Sequence, residues 1–342
     1  WASGSGNIWN LNAGNVGIGT TAPLQKMDVS GSVNISKGSY YRYNDAIFAM
    51  ASTSLNNYFI GGAGNLTMTG VHNTANGFQA FFSNTTGLDS IANGYRALYS
   101  NTTGYSNTAN SFQALYFNTT GYSNTANGVW ALYRNTTGTQ NTANGYQTLY
   151  NNTTGYNNTA NGVNALFSNT TGTQNTADGY QTLYTGINFS NTAALGYQAG
   201  YYASASNNIF LGANADVVGA NKSGLITNSI AIGSSAKTAS SRQLVVGADN
   251  GTNYLTEAYF GSGVSASAPF AFRINSSGGS GTNIAGANLT IAGGISTGTG
   301  LGGSLLFQTA PAGTSGATAN TLATRMTVDS TGNVGIGTTT PV

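Results

Sequence analysis

Among its 342 residues the chain has no cysteine, four prolines and one histidine, and only 5% of the residues are charged. Each shortage excludes something. Without cysteine there is no disulfide framework and no thiolate metal site, so any exported form must be held by packing. Ordinary soluble domains carry about 25% charged residues. At 5%, with a net charge of +2, no basic surface exists for nucleic acid. No apolar run approaches the ~18 residues of a membrane span, so no membrane insertion is expected. Nor is this a charged, disordered tail, because 39% of the residues are hydrophobic and 20 are tyrosine. The sequence opens on Trp1 with no leader pattern, and we read it as a piece of something longer.

What is present is a repeat. From Asn73 to about Ser190 the chain aligns with itself in lines of 17 that begin at Asn73, Ser90, Asn107, Asn124, Asn141, Asn158 and Asn175. A representative line is NTANSFQALYFNTTGYS, Asn107–Ser123. A fixed period signals a stacked, quasi-one-dimensional architecture. Helical repeats need roughly 33–47 residues, whereas 17 residues hold about two short strands and two turns. Gly77, Gly94, Gly128, Gly145, Gly162 and Gly179 form one turn column, and Gly87, Gly104, Gly121, Gly138, Gly155 and Gly172 form another. Between them runs an apolar column, Phe81 and then Leu98 to Leu183. The next residue is always aromatic: Phe82, Tyr99, Tyr116, Tyr133, Tyr150, Phe167 and Tyr184. Neighbouring strand residues face opposite ways, so Leu and ring cannot share one interior. A second buried surface, and hence oligomerisation, is expected. The Asn and Thr columns predict side-chain ladders between rungs ~4.8 Å apart. The stretch 124–157 resembles 158–191 more than single lines resemble each other, which marks a 34-residue unit as duplicated.

The rest divides by pattern. Residues 1–45 form a β module containing GNVGIGTTAP at Gly14–Pro23, followed by a polar transition over 46–72. The 17-residue repeats fill 73–190, with register predicted to be lost at Thr185–Ser190. Shorter strand-then-glycine units occupy 191–251: ALGYQAG from Ala194, NIFLGANA from Asn208, NSIAIGSSAK from Asn228 and QLVVGADNG from Gln243. A Gly-rich β region covers 252–310, with strands predicted at Phe270–Ile274, Leu289–Ala292 and Ser304–Gln308. Residues 311–342 repeat the first module, with a strand at Arg325–Val328 and GNVGIGTTTP at Gly332–Pro341, cut off after its proline. No helix of ordinary length is predicted.

The usual constellations of chemistry are thin. His72 stands alone, nearest in sequence to Asp45 and Asp89, and reads as a junction residue. Glu257 is the only glutamate, and Asp89 and Asp178 read as equivalent-face residues five rungs apart, too far for a catalytic pair. Gly17-x-Gly19-x-x-Ala22 and Gly298-x-Gly300-x-x-Gly303 match dinucleotide fingerprints only formally, as neither opens a helix. The N-T-T-G column also spells glycosylation sequons at Asn84, Asn101, Asn118, Asn135, Asn152 and Asn169, which we read instead as turn and ladder residues. The chain is therefore not expected to be an enzyme, and no cofactor or metal is expected. The aromatic column has two readings, a chain–chain seam or a strip on which sugar rings stack, and the seam is favoured.

Two families share these motifs. NSIAIGSSAK, ALGYQAG and NIFLGANA resemble head repeats of trimeric autotransporter adhesins, which implies β-rolls assembled as homotrimers. GNVGIGTTAP followed by LQKMDVSGSVNI, and LATRMTVDSTGNVGIGTTTPV, resemble modules of bacteriophage tail fibres and related bacterial surface fibres. In that family such modules often precede a self-cleaving chaperone, of which no part is seen here. The resemblance implies an all-β, repetitive β-solenoid or β-roll fibre, an intertwined homotrimer, on a virion tail or a bacterial cell surface. The expected partners are the chain's own copies and a cell-surface glycan or protein receptor. A carbohydrate-active tail-spike enzyme and an ice-binding solenoid are the alternatives. The latter is weakened because adjacent threonines such as Thr102 and Thr103 point opposite ways.

Overall fold

The computed structural model describes residues 55–65, 67–218, 226–247, 299–309 and 322–342, residues 291, 293 and 311, and the backbone of strands between 8 and 52. The strands predicted at Phe270–Ile274 and over most of Leu289–Ala292 lie outside the described residues. The chain divides into two compact units, Trp1–Glu257 and Ala258–Val342. Among the described residues there is no helix.

The first unit opens with β1 (Ile8–Leu11), β2 (Asn15–Ile18) and β3 (Met27–Val29). Its second sheet begins with β4 (Tyr41–Tyr43) and β5 (Ala46–Ser52), antiparallel to each other, and β5 pairs antiparallel with β6 (Asn57–Ile60). From β6 onward every pairing in this sheet is parallel and joins successive turns of the same chain. The following strands are three residues each: β7 (Thr74–Asn76), β8 (Ile91–Asn93), β9 (Thr108–Asn110), β10 (Thr125–Asn127), β11 (Thr142–Asn144), β12 (Thr159–Asn161) and β13 (Thr176–Asp178). Register is identical throughout, Thr125 opposite Thr142 and Asn127 opposite Asn144. The sheet continues past residue 190 through β14 (Ala193–Leu195), β15 (Ile209–Leu211), β17 (Ile230–Ile232) and β19 (Leu244–Val246). The result is a parallel β-solenoid of about 11 turns.

The expected two strands per turn are not what the chain builds. Each 17-residue turn has one three-residue strand, and the remainder is a chain of tight corners. A second strand appears only late, where β16 (Asp216–Val217) pairs with β18 (Lys237–Thr238). The cause is backbone handedness. Number each turn from its buried Asn or Ser, so that Asn107 is position 1. Positions 7, 9 and 17 then sit in the left-handed region, as at Gln113 (φ 53°), Leu115 (φ 51°) and Ser106 (φ 53°). That conformation costs an L-residue roughly 1–2 kcal/mol, so packing must offset it on every turn. The left-handed residues on either side of Ala114 break strand alternation and turn two consecutive side chains, Ala114 and Leu115, inward. Glycine supplies the fourth corner at position 5: a Cβ on Gly94 (φ 135°) would lie 2.4 Å from the carbonyl oxygen of Ser111 on the next turn.

The core is narrow. The strand alanines, from Ala75 to Ala177, point inward to meet Ala80 or its equivalents and the Phe81–Leu183 column. Two files of asparagine complete it. At position 12, Asn118 donates from Nδ2 to Asn101 Oδ1 (2.8 Å) and to the Gly121 carbonyl (2.9 Å), and Asn135 repeats this on Asn118. At position 1, Asn141 donates to Asn124 Oδ1 (3.1 Å) and to the Gly155 carbonyl (2.8 Å). A buried amide that is fully hydrogen-bonded is tolerated, whereas a lone one costs roughly 1–3 kcal/mol. The file therefore works because every turn supplies the same amide.

Two places depart from the motif without breaking the stack. The turn Asn175–Asn191 keeps 17 residues, although Thr185–Ser190 abandons the pattern. Gly186 replaces the position-12 asparagine, and Phe189 replaces the position-15 glycine. The Phe189 ring fills the vacated space, 2.1 Å from where a Cβ on Gly186 would stand. Asn169 Oδ1, the last of its file, is left without a hydrogen-bond partner because the next turn offers no amide. Thereafter the paired residues are 16, 21 and 14 apart (Ala193 to Ile209, Ile209 to Ile230, Ile230 to Leu244). At the beginning, Asn57–His72 forms a shortened turn of the same kind, with Asn57 Nδ2 on the Gly70 carbonyl at 2.8 Å.

The second unit holds β20 (Leu305–Thr309), β21 (Ala323–Val328) and β22 (Val334–Ile336) in an antiparallel sheet. Its β21–β22 hairpin has the register of β1–β2: Met326 opposite Ile336 and Thr327 opposite Gly335, as Ile8 is opposite Ile18 and Trp9 opposite Gly17.

Candidate functional site

The aromatic column lies on the outside, at position 10. Leu, in a left-handed corner, points in at position 9, and the ring after it points out. Phe82, Tyr99, Tyr116, Tyr133, Tyr150, Phe167, Tyr184 and then Tyr201 form one continuous stack. Centroids are 5.0–5.4 Å apart and the planes are inclined by 4–23°. Phe82, at the end, is exposed, and the next six rings are half-buried by each other. Ring faces therefore meet ring faces. A sugar that stacks needs an open face, and along this column only edges and hydroxyls are turned to solvent. Burial, joined by the neighbouring Tyr150 and Tyr116 phenols, pushes the Tyr133 hydroxyl up, while Arg134 and Arg96 pull it the other way.

Further columns flank this one. At position 6, Phe78 stacks on Tyr95 and Tyr95 on Phe112, at 6.0 and 5.2 Å. Position 7 lies between the two files. Arg96 reaches over both Tyr95 and Tyr99, 5.0 and 5.4 Å from their centroids, and donates to Gln79 Oε1 at 2.8 Å. Trp130 Nε1 donates to Gln113 Oε1 at 2.7 Å in the same column. At the opposite corner Tyr105 stacks on Tyr122 at 4.8 Å. On the other side of the ladder a shallow groove is lined by Arg134, Asn151, Thr153, Ser168 and Thr170.

The other outward columns are mostly polar over the 17-residue turns, with Ile91 and Phe117 as exposed exceptions. Position 4 carries an outward-facing, partly exposed amide file, Asn93 to Asn161, each Nδ2 donating to the next Oδ1 at 2.8–3.0 Å. The threonines at position 13 are not free. Thr119 Oγ1 donates to the Thr136 carbonyl at 3.1 Å, and Thr102 and Thr136 do likewise. Thr102 is half-buried and Thr103 exposed, so no flat two-file threonine array forms there.

The remaining residues singled out in the sequence fall apart in space or into structural roles. His72 Nδ1 lies 3.0 Å from Asp89 Oδ1; both occupy left-handed corners of adjacent turns and both are exposed, so the pair is worth little. Asp89 and Asp178 do not share a column: Asp89 is a corner residue, whereas Asp178 ends β13 in the position-4 file. The sequon asparagines from Asn84 to Asn169 are fully buried with their amides in the core file, which closes them to a glycosyl donor in the folded chain. Gly17 sits inside β2, not before a helix. Among the described residues no group of three or more His, Cys, Asp or Glu side chains gathers as a metal site would require.

Sequence reading missed one buried acid. Asp216 accepts hydrogen bonds from the Tyr202 and Val217 backbone N–H groups at 2.9 and 2.8 Å. Burial nevertheless pushes its carboxyl up to about 6, against the opposing pull of those bonds and of Lys237. Lys237 itself donates to the Asn214 carbonyl at 2.8 Å. Nothing in the surrounding NIFLGANA pattern distinguishes this aspartate from a surface residue.

No protein-family model matches the chain, and no curated protein or solved structure shows significant similarity to it. The class that can be stated is the architecture: an all-β, parallel β-solenoid repeat protein. Among the described residues no helix is long and apolar enough to cross a membrane.

Proposed function

We propose that the chain is a non-catalytic segment of an extracellular attachment fibre, carried by a virion tail or a bacterial cell surface, that assembles as a homotrimer and presents a repeated surface to a cell-surface glycan or protein. The observation that carries this reading is the outside of the solenoid. From Phe82 to Tyr201 each turn sets an aromatic ring at the same place, about 5 Å from the last. A column of identical weak contacts binds by avidity and not through a deep pocket. The groups that would meet a receptor are ring edges, phenol hydroxyls and the partly exposed position-4 amides. With a net charge of +2 such a surface approaches charged cells without strong attraction or repulsion.

The test is binding of the full chain to a panel of bacterial and animal cells and to a glycan array, at low and high salt. Retention that survives high salt and falls when Tyr99, Tyr116, Tyr133 and Tyr150 are changed together to serine is the expected result. Cleavage of a polysaccharide, or retention that vanishes with salt, overturns it.

A further inference from the structure

The outward face of the long parallel sheet changes character along the stack. Each three-residue strand turns its first and third side chains outward, and the middle one to the core. From β7 to β13 those outward residues are mainly Thr and Asn, ending in Asp178. From β14 onward they are aliphatic. One file reads Leu195, Leu211, Ile232 and Val246, and the other includes Ile209 and Leu244. Leu195 is 54% exposed, Leu244 66% and Val246 48%, although upstream strands spend the same positions on hydroxyls and amides.

We infer that this aliphatic strip, on the outer face of β14, β15, β17 and β19, is the surface through which copies of the chain associate, in place of the tyrosine column. The inference rests on the self-assembly part of the function proposed above. Three observations single out a second copy as the occupant. The exposed apolar area of the strip is on the order of 600 Å² per copy, at the top of the range seen on monomers and near the ~800 Å² per partner of a standard interface. None of the four strands carries a charged residue, so the strip offers nothing to a partner chosen by charge. Its side chains also recur at the rung spacing, and only a surface with the same repeat interdigitates over its whole length; another copy has that repeat by construction. The tyrosine rings, by contrast, already cover each other's faces.

The experiment uses the full chain and measures solution mass by light scattering at micromolar concentration, with far-UV circular dichroism on each sample. Leu211→Glu with Ile232→Glu charges the strip at two exposed positions. Thr159→Glu with Thr176→Glu charges the polar part of the same face. Tyr116→Ser with Tyr133→Ser opens the ladder. The expected result is a native mass that is a multiple of 34.8 kDa, reduced to a single chain by the first pair alone, with the β signal kept in all three. A native chain of single mass, or a strip variant that keeps the multiple, overturns the inference. Dissociation by the tyrosine pair alone assigns the seam to the ladder and overturns it too. Cell binding measured on the same samples separates this from the attachment reading: a monomer that still binds cells sinks the seam and leaves attachment standing.

Discussion

Turns 73–190 and turns 192–246 are stacked in one sheet, yet they fill it differently. In the first stretch the core is supplied by position 9, where Leu98 to Leu183 stand behind small strand alanines. In the second, position 9 becomes Gly200, and the bulk moves to the strand as Phe210. A Cβ on Gly200 would lie 2.5 Å from Leu183 Cδ2 and 2.8 Å from the Phe210 ring, so the phenylalanine occupies the room that a leucine leaves. Phe189 does the same for the missing asparagine at Gly186. Volume is conserved while position is not, in keeping with cores packed at near-crystalline density. The outside changes with the inside, from Thr and Asn to Leu, Ile and Val. The backbone path tolerates both, so the path is set by the corners and the filling is exchangeable.

That comparison can be broken hardest in the first stretch. Leu166→Gly empties a position with no accessible surface, and a loss of at least the ~2–5 kcal/mol of a large-to-small core change is expected by denaturant titration. Adding Ala177→Phe, which copies the Gly200–Phe210 arrangement, should recover part of that loss; no recovery would mean that the two fillings are not exchangeable. Asn135→Ala removes one amide from a buried file and strands the carbonyls of Asn118 and Gly138, costing roughly 1–3 kcal/mol. Position 186 already lacks that amide, and Phe189→Ala, which empties the space of its buried substitute, should cost about 3–5 kcal/mol.

In the second stretch the buried acid sharpens the contrast. The Asp216 carboxyl is raised when folded, so its contribution is fully present below the unfolded value of ~3.9 and is lost as pH rises through about 6. The chain should therefore be more stable at pH 4 than at pH 7.5 by up to about 3 kcal/mol from this group. Asp216→Asn should flatten that slope, and a slope unchanged by the substitution would locate its origin elsewhere. The smallest effect concerns one corner of the first stretch. Ser111 holds φ 140° where the other turns have glycine. Ser111→Gly should stabilise by about 1 kcal/mol, since such strain costs roughly 1–3 kcal/mol, and a thermal midpoint that falls instead would show that the serine is not strained.

Much of this was readable in the residues. The 17-residue period, the inward leucines, the outward rings and the asparagine files are all properties of columns, and columns survive stacking unchanged. The handedness of the corners was not. Leucine and glutamine carry no mark of a left-handed backbone, so strand alternation gives no sign that the neighbours Ala114 and Leu115 are both buried. The stack's start at Asn57 and its passage through residue 190 were hidden for a different reason. There the motif is replaced by compensating pairs, Gly186 with Phe189 and Gly200 with Phe210, whose members are apart in sequence and meet only in space. Within the site, the column was found but its geometry was not: sequence gives the order of rings and is silent on whether their faces are free.

The corners that hide from sequence also set how the rod would behave under load. Each turn is bonded only to the turns beside it, from Thr108 N–H on the Asn124 carbonyl to Gly128 N–H on the Asn110 carbonyl. A chain pulled by its ends therefore peels one turn at a time, and each 17-residue turn released adds about 55 Å of extended chain less one rung. Force–extension traces should then show evenly spaced steps through residues 73–190, the sequence period rewritten as a length.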